Sequence, residues 1–379
     1  MNRAVSQPDI TEIDRRWMRA AIAQSLHAQG RTDSNPPVGC VIIDKGGRLC
    51  AVAHTGSGGA PHAETTALKL AGAQARGGTV YVTLEPCAHH GKTPPCAAAL
   101  IDAKVGRVVV AVRDPDSRVD GRGIAMLEAA GIEVVTHVET AAAAAVLAGF
   151  LHRIKHSKPY VSLKTAASLD GRIALSDGKK RWLTGAPMRQ FVHELRSRHD
   201  ALMTGVGTVI ADDPQFTCRG QLAAADSPAV YVLDSALRTP LSASLLKVAK
   251  RSVTLFCTSS APQARHKALQ SAGAQIVTLP ADADGHVDII AAMAHLGAAG
   301  VNNLMVEAGV GVTSAIYKHD IAEQIFWTQS PHLLGADALP VIGALKLVAL
   351  PLQTHYTQTE DIMIGADHLR VFVKSAAAA

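Results

Sequence analysis

Two rhythms of apolar positions alternate along the chain, one with helical spacing and one in short unbroken runs. Ile13, Trp17, Ala20, Ala21 and Gln24 recur near helical spacing, so Ile10 to Gln29 is predicted as a packing helix ended by Gly30. Cys40 to Ile43 and Leu49 to Ala53 read as strands, joined by a hairpin turn at Lys45-Gly46-Gly47-Arg48. A periodic run from Thr65 to Ala73 predicts a helix, with His62 and Glu64 at its N-terminus. Thr79 to Leu84, Arg107 to Val112 and Ile132 to Thr136 are further strands. Helices starting at Cys96 and at Ile124 separate them. Such alternation argues for a layered α/β sheet. Alanine-rich Ala141 to Ala145 continues through His156 as a closing helix, and the charged, Pro-ended stretch Arg153 to Pro159 marks a boundary.

The pattern resumes with a strand at Tyr160 to Thr165 and a helix at Pro187 to Arg198, with Pro at a permitted early position. Strands follow at Asp200 to Thr204, Ala229 to Leu233, Val253 to Cys257, Gln275 to Leu279 and Asn303 to Val306. Helices are expected at Pro262 to Ala272 and Ile289 to Leu296. Gly205-Val206-Gly207-Thr208 and Asp212-Asp213-Pro214 follow the Asp200 to Thr204 strand. Glu307 to Thr313 is a strand-to-helix turn of small residues, whose backbone amides suit a dinucleotide phosphate. Phe326 to Gln329, Ile362 to Ile364 and Arg370 to Val373 close the pattern as strands.

A length of 379 residues fits two domains, or three. The division expected here is 1–152 and 157–379. Charged residues make up 18% of the chain and hydrophobic ones 48%, the balance of a soluble globular protein. Aromatics at 4% are too few for base-stacking platforms, and a net charge of +5 suits a phosphorylated small molecule better than nucleic acid. Asp9, Glu12, Asp14, Arg15 and Arg16 break up any secretory leader, and no apolar run reaches the ~20 residues that span a bilayer. The expected compartment is a reducing cytoplasm, with Cys40, Cys50 and Cys257 as buried thiols in apolar runs.

Chemistry concentrates between Pro61 and Cys96. His62-Ala63-Glu64 is followed by Pro86-Cys87 and, with eight residues between the two cysteines, by Cys96. One imidazole and two thiolates can hold Zn²⁺ and leave a fourth position open for water. His-x-Glu followed by Pro-Cys and a second Cys is the order found in zinc deaminases, although their usual cysteine spacing is two. Zinc lowers the pKa of its water toward ~7. Glu64 would take the proton, and attack would fall on an amidine-like carbon of a heterocycle. The proton would then return to the departing amine. A structural site would supply a fourth protein ligand, a part open to His89 or His90. Asn35, before two prolines, either starts a turn or reads the edge of a pyrimidine.

The run from Glu85 to Cys96, with His62-Ala63-Glu64, resembles the bifunctional riboflavin-biosynthesis deaminase–reductase family. Asn35-Pro36-x-Val38-Gly39, Asp114-Pro115 and Val119-x-Gly121-x-Gly123 also match. So do Ala167 to Arg172, Trp182-x-Thr184, Thr208-Val209, Asp212-Asp213-Pro214 and Val306 to Gly309. The resemblance covers nearly the whole chain. It implies a cytidine-deaminase-like α/β/α layered domain followed by a dihydrofolate-reductase-like α/β domain. The first would remove the 2-amino group of 2,5-diamino-6-(5-phosphoribosylamino)pyrimidin-4(3H)-one. The second would reduce the ribosyl group of the resulting uracil to ribityl with NADPH.

Carried over, the resemblance implies metal ligands His62, Cys87 and Cys96, with Glu64 catalytic. NADP contacts would be Ala166, Trp182, Thr208, Asp212, Ser235 and the turn Gly309, Val310, Gly311, Val312, Thr313, Ser314 and Ala315. Substrate contacts would be Asn35, Arg196, Phe216, Arg219 and Glu307, with Lys180 standing where the family has Ser. Arg196 and Arg219 suit phosphate, because a guanidinium fork matches phosphate oxygens; otherwise they are solvated surface residues. Trp182 is otherwise a core aromatic, and Asp212 a turn residue. The resemblance also implies a homo-oligomer. The rival readings are a nucleic-acid-editing deaminase, a non-catalytic zinc module, and a pyrimidine deaminase whose second domain binds without reducing.

Overall fold

A computed structural model describes residues 10–88, 94–177, 179, 181–219, 227–347 and 356–375. The chain divides into two compact units, the first ending at Ser157 and the second beginning at Lys158. The helix at the division runs through His156, so Arg153 to His156 belong to the first unit.

The first unit comprises α1 (Glu12–Ala28), β1 (Gly39–Ile43), β2 (Leu49–His54), α2 (Ala63–Ala71), β3 (Thr79–Leu84), α3 (Cys96–Asp102), β4 (Arg107–Val112), α4 (Arg122–Ala129), β5 (Glu133–Thr136) and α5 (Thr140–His156). The sheet order is β2-β1-β3-β4-β5. β1 runs antiparallel to both neighbours, whereas β3, β4 and β5 are parallel. β1 is buried along its whole length, and β3 and β4 nearly so, because helices cover both faces. A capping box sets the start of α1: Thr11 accepts from the Asp14 N–H while the Asp14 side chain accepts from Thr11. Asp14 also takes two bonds from Arg107 on β4 and one from Tyr81 on β3, which ties the helix to the sheet.

At the end of β3, the buried Glu85 carboxylate accepts backbone N–H bonds from Asp114, Gly121, Gly123 and Ile124. This bracket presses the start of α4 against the turn that carries Cys87. A Cβ on Gly123 would meet the Pro86 carbonyl oxygen at 1.9 Å, so only glycine allows the approach.

The second unit contains β6 (Tyr160–Ala167), β7 (Arg172–Ala174), α6 (Ala186–Ser197), β8 (Ala201–Gly205), α7 (Val206–Asp212), β9 (Ala229–Leu233), β10 (Val253–Cys257) and α8 (Gln263–Ser271). It continues with β11 (Gln275–Thr278), α9 (Ile289–Ala298), β12 (Asn303–Val306), α10 (Val310–Lys318), β13 (Gln324–Gln329), β14 (Leu339–Pro340), β15 (Tyr356–Ile364) and β16 (Asp367–Lys374). The large sheet runs β11-β10-β9-β8-β12-β6-β13-β16-β15. It is parallel from β11 to β13 and ends in an antiparallel hairpin. Two apolar clusters fill the unit's core, one with Leu202, Val230 and Leu255, the other with Leu163, Met203 and Val306. Leu202 and Met203 are consecutive on one strand, so they point to opposite faces. After β8, Val206 to Asp212 form a short helix that the sequence pattern did not predict. All six cysteines are free thiols; Cys40 and Cys257 are buried as expected, but Cys50 is only half-buried on edge strand β2.

Candidate active sites

In the first unit, His62 is the N-cap of α2, Cys87 follows the end of β3, and Cys96 opens α3. Their ligand atoms lie within 4.8 Å of one another. His62 Nδ1 is 3.2 Å from Cys96 Sγ and 3.7 Å from Cys87 Sγ. A tetrahedral zinc with ordinary bond lengths puts its nitrogen and sulfur ligands about 3.6 Å apart. The donor set and its spacing therefore fit zinc. The Cys96 N–H donates to Cys87 Sγ at 3.3 Å. Hydrogen bonding from Cys96, and then from His62, holds the Cys87 thiol well below the usual range, as a metal ligand needs. Glu64 sits in the first turn of α2, 4% exposed, and burial pushes its carboxyl up to about 7. His89 and His90 lie outside the described residues.

Asn35 closes a turn that begins at Thr32, its backbone N–H and its side-chain amide both donating to the Thr32 carbonyl, so it ends this turn instead of starting one. Its side chain also packs on Gly59, three residues before His62; a Cβ there would meet Asn35 Nδ2 at 1.9 Å.

The second unit holds a cavity of about 1780 Å³ at the carboxyl ends of β6, β8, β9 and β12. That is where ligands bind in open parallel sheets, and the volume exceeds what one small ligand fills. Ala166, Trp182, Thr208, Asp212, Ser235, Gly309, Val310, Gly311, Val312, Ser314 and Ala315 line it. Thr313 does not: it is buried, and its hydroxyl donates to the Ala308 carbonyl. Thr208 Oγ1 accepts from the Gly309 N–H, so that amide is already satisfied and the next ones in α10 stay available. Trp182 is 68% exposed with the Arg189 guanidinium 5.0 Å from its ring centre, which rules out a core role.

Arg196, Phe216, Arg219 and Glu307 also line the cavity. Arg196 is neither solvated nor free for phosphate. Its Nε and Nη2 donate to Glu307 at 2.6 and 3.0 Å, and its Nη1 donates to the Thr217 carbonyl. Arg219 is exposed and braced by Thr217 and Gln215, which leaves it the better phosphate partner. Burial raises the Glu307 carboxyl, but Arg196 and then Lys164 more than reverse this and hold it below the usual range. Lys164 Nζ is 4.0 Å from Glu307, and burial lowers its pKa. The sequence reading missed Lys164; a lysine as the one charged residue of a largely buried parallel strand was the available signal. Lys180 lies outside the described residues.

Comparison with known proteins separates the two sites by family. A cytidine and deoxycytidylate deaminase zinc-binding region matches residues 11–112, and a RibD C-terminal domain matches residues 159–364. The chain belongs to the RibD family. Riboflavin biosynthesis protein RibD of Escherichia coli K12 is 36% identical over 342 residues, 86% of this chain and 89% of that one. Its counterpart in Bacillus amyloliquefaciens is 34% identical over 352 residues, 93% and 94% of the two chains. Among solved structures, RibD of Acinetobacter baumannii (form 1) superposes with a TM-score of 0.87 at 33% identity, covering 96% of this chain and 99% of that one. A diaminohydroxyphosphoribosylaminopyrimidine deaminase/5-amino-6-(5-phosphoribosylamino)uracil reductase from Thermotoga maritima gives 0.83 at 28% identity, with the same coverages.

As a RibD chain, the protein is a bifunctional enzyme of riboflavin biosynthesis. It joins a zinc-dependent deaminase domain to a reductase domain that uses NADPH. These matches do not favour a second domain that only binds. Among the described residues, no helix is long and apolar enough to cross a membrane.

Proposed function

We propose that the first unit deaminates 2,5-diamino-6-(5-phosphoribosylamino)pyrimidin-4(3H)-one and that the second reduces the ribosyl chain of the product to ribityl. The observation that carries this reading is the meeting of His62, Cys87 and Cys96 beside buried Glu64, in one chain with a cavity roomy enough for two ligands. His62, Cys87 and Cys96 hold zinc. Zinc held there would supply an acidified water as the nucleophile. Glu64 would take a proton from the attacking water as its oxygen bonds the amidine carbon, then return a proton to the amino group; the C–N bond breaks, ammonia leaves and the added oxygen becomes the carbonyl. Asn35, on the approach to His62, reads the pyrimidine edge. In the second unit, the backbone amides at the start of α10 would hold the NADPH phosphates. Arg219 meets the substrate phosphate, and the Arg196–Glu307–Lys164 group faces the sugar. Lys180 changes how this site grips its substrate relative to a serine. The division of function follows the two units, the deaminase ending at Ser157 and the reductase beginning at Lys158. The enzyme works on small molecules, not nucleic acid, in the cytoplasm and as a homo-oligomer.

Purified protein given the diaminopyrimidine ribotide, with and without NADPH, tests both steps by mass spectrometry of the products. Ammonia release without NADPH oxidation would refute the reductase assignment. For the first step, Glu64→Gln is expected to keep zinc and to lower deamination by about 10²–10⁴-fold, the usual reach of acid–base catalysis. Deamination at the unsubstituted rate would remove Glu64 from its role.

A further inference from the structure

The segment from Asp213 to Arg219 forms one wall of the second unit's cavity, and its shape is imposed from behind. Phe216 is 5% exposed and has a φ of +52°, a conformation that a residue with a side chain holds only when its surroundings require it. The requirement comes from Arg251, which stands just before β10 and is not among the residues lining the cavity. Its Nη1 donates to two consecutive carbonyls, Gln215 at 2.7 Å and Phe216 at 3.1 Å. Its Nη2 donates to the Leu245 carbonyl at 3.0 Å. A planar guanidinium fixes both ends of this bridge at once, which an ammonium cannot do. A second fastening runs parallel to it: the Asp213 carboxylate accepts from the Ser244 N–H and hydroxyl, both at 2.7 Å.

What the segment carries gives the bridge its consequence. The Arg196 guanidinium lies 5.6 Å from the centre of the Phe216 ring and donates to the Thr217 carbonyl. Arg219 is braced by Gln215 and Thr217. Both arginines therefore take their places from a backbone that Arg251 bends.

We infer that Arg251 is a positioning residue for the reductase: it shapes the Gln215–Arg219 wall so that Phe216, Arg196 and Arg219 present a preformed seat to the phosphorylated substrate. This rests on the reductase reading above. The NADPH phosphates, placed at α10, do not depend on that wall, so the two ligands respond differently to its loss.

The test uses the full-length zinc-loaded enzyme with Arg251→Lys and Arg251→Ala. NADPH oxidation is followed against the deaminated ribotide, NADPH binding by fluorescence and deamination by ammonia release. Arg251→Ala is expected to raise the substrate KM about tenfold or more while kcat falls less than about threefold, the pattern of lost substrate binding. Arg251→Lys keeps the charge and loses the fork, so it falls between. NADPH affinity and deamination stay unchanged in both. Millimolar guanidinium, added to Arg251→Ala, restores part of the KM; a residue that only stabilised the fold would show no such split. If the alanine variant does not fold, the lysine variant decides alone. An unchanged substrate KM in a folded Arg251→Lys overturns the inference, as does an equal weakening of NADPH. Unsubstituted enzyme that oxidises no NADPH would sink the reductase reading and this inference with it. Normal unsubstituted enzyme beside unaffected variants sinks the inference alone.

Discussion

Glu307→Gln removes the carboxylate that faces two buried cations. The Arg196 and Lys164 side chains are each 14% exposed and that of Glu307 is 10% exposed, so water screens none of them well. The amide keeps the shape of the side chain and one carbonyl oxygen. One Arg196 bond survives, and the other meets an NH₂ donor. Removing one partner of a buried pair costs about 3–5 kcal/mol, because the remaining charge is left uncompensated. Lys164 provides partial relief. Burial already lowers its pKa and Glu307 is the group that opposes this, so without Glu307 it sheds its proton more readily. The expected loss is therefore near the lower end, about 3 kcal/mol. Urea unfolding of the full chain, followed by circular dichroism, should show the second unit's midpoint fall by about 1 M or more. Adding Arg196→Met should restore most of the loss, since replacing both partners by groups of similar shape is often close to neutral. NADPH oxidation should stay low in both variants. An unchanged midpoint in Glu307→Gln, or single losses that simply add in the double variant, would refute the claim that the pair is a coupled buried unit.

Two further outcomes follow from the first unit. Cys96→Ser should leave the protein with little zinc by metal analysis and without deamination, while NADPH-dependent reduction of supplied 5-amino-6-(5-phosphoribosylamino)uracil persists; a fully loaded variant would move the third ligand to His89 or His90. Asp14 links pH to stability: burial raises its carboxyl, but hydrogen bonds from Arg107 and Thr11 more than reverse this and bring it from 3.8 to about 2. Because the folded value lies below the unfolded one, this stabilisation is complete above pH ~4 and disappears as pH falls toward ~2. Asp14→Asn should therefore be less stable at neutral pH by about 2 kcal/mol, with the gap closing over that acid range. A gap that stays constant with pH would assign it to packing instead of charge.

The two sites differ in how far the sequence reveals them, and the difference is physical. Zinc ligands His62, Cys87 and Cys96 sit at the ends of α2, β3 and α3, where short motifs and element boundaries coincide. A reader of spacing alone can place them. The reductase cavity draws on the ends of β6, β8, β9 and β12, which lie far apart in sequence and become neighbours only through the order of the sheet. Arg196 and Glu307 stand 111 residues apart, so nothing local announces that they neutralise each other, and Arg196 reads equally well as a phosphate contact. Arg251 has no motif, because its partners are backbone carbonyls, which every sequence supplies.

The same contrast runs through the fold. β10 lies where an unbroken apolar run put it and is buried on both faces, as a central parallel strand is; β9 and β12 were also placed by their apolar residues, although alternate residues of β9 are only half-buried. β15 begins at Tyr356, ahead of the expected Ile362, because its exposed residues Thr357 to Asp361 carry no apolar signal and are held only by pairing with β16. α7 was not predicted, because a seven-residue helix with Gly207 inside it carries no helical periodicity; within it Thr208 accepts from the Gly309 amide. Sequence pattern thus reports burial, which it records residue by residue. It is silent on contacts whose strength comes from being brought together by the sheet, and those contacts shape the second site.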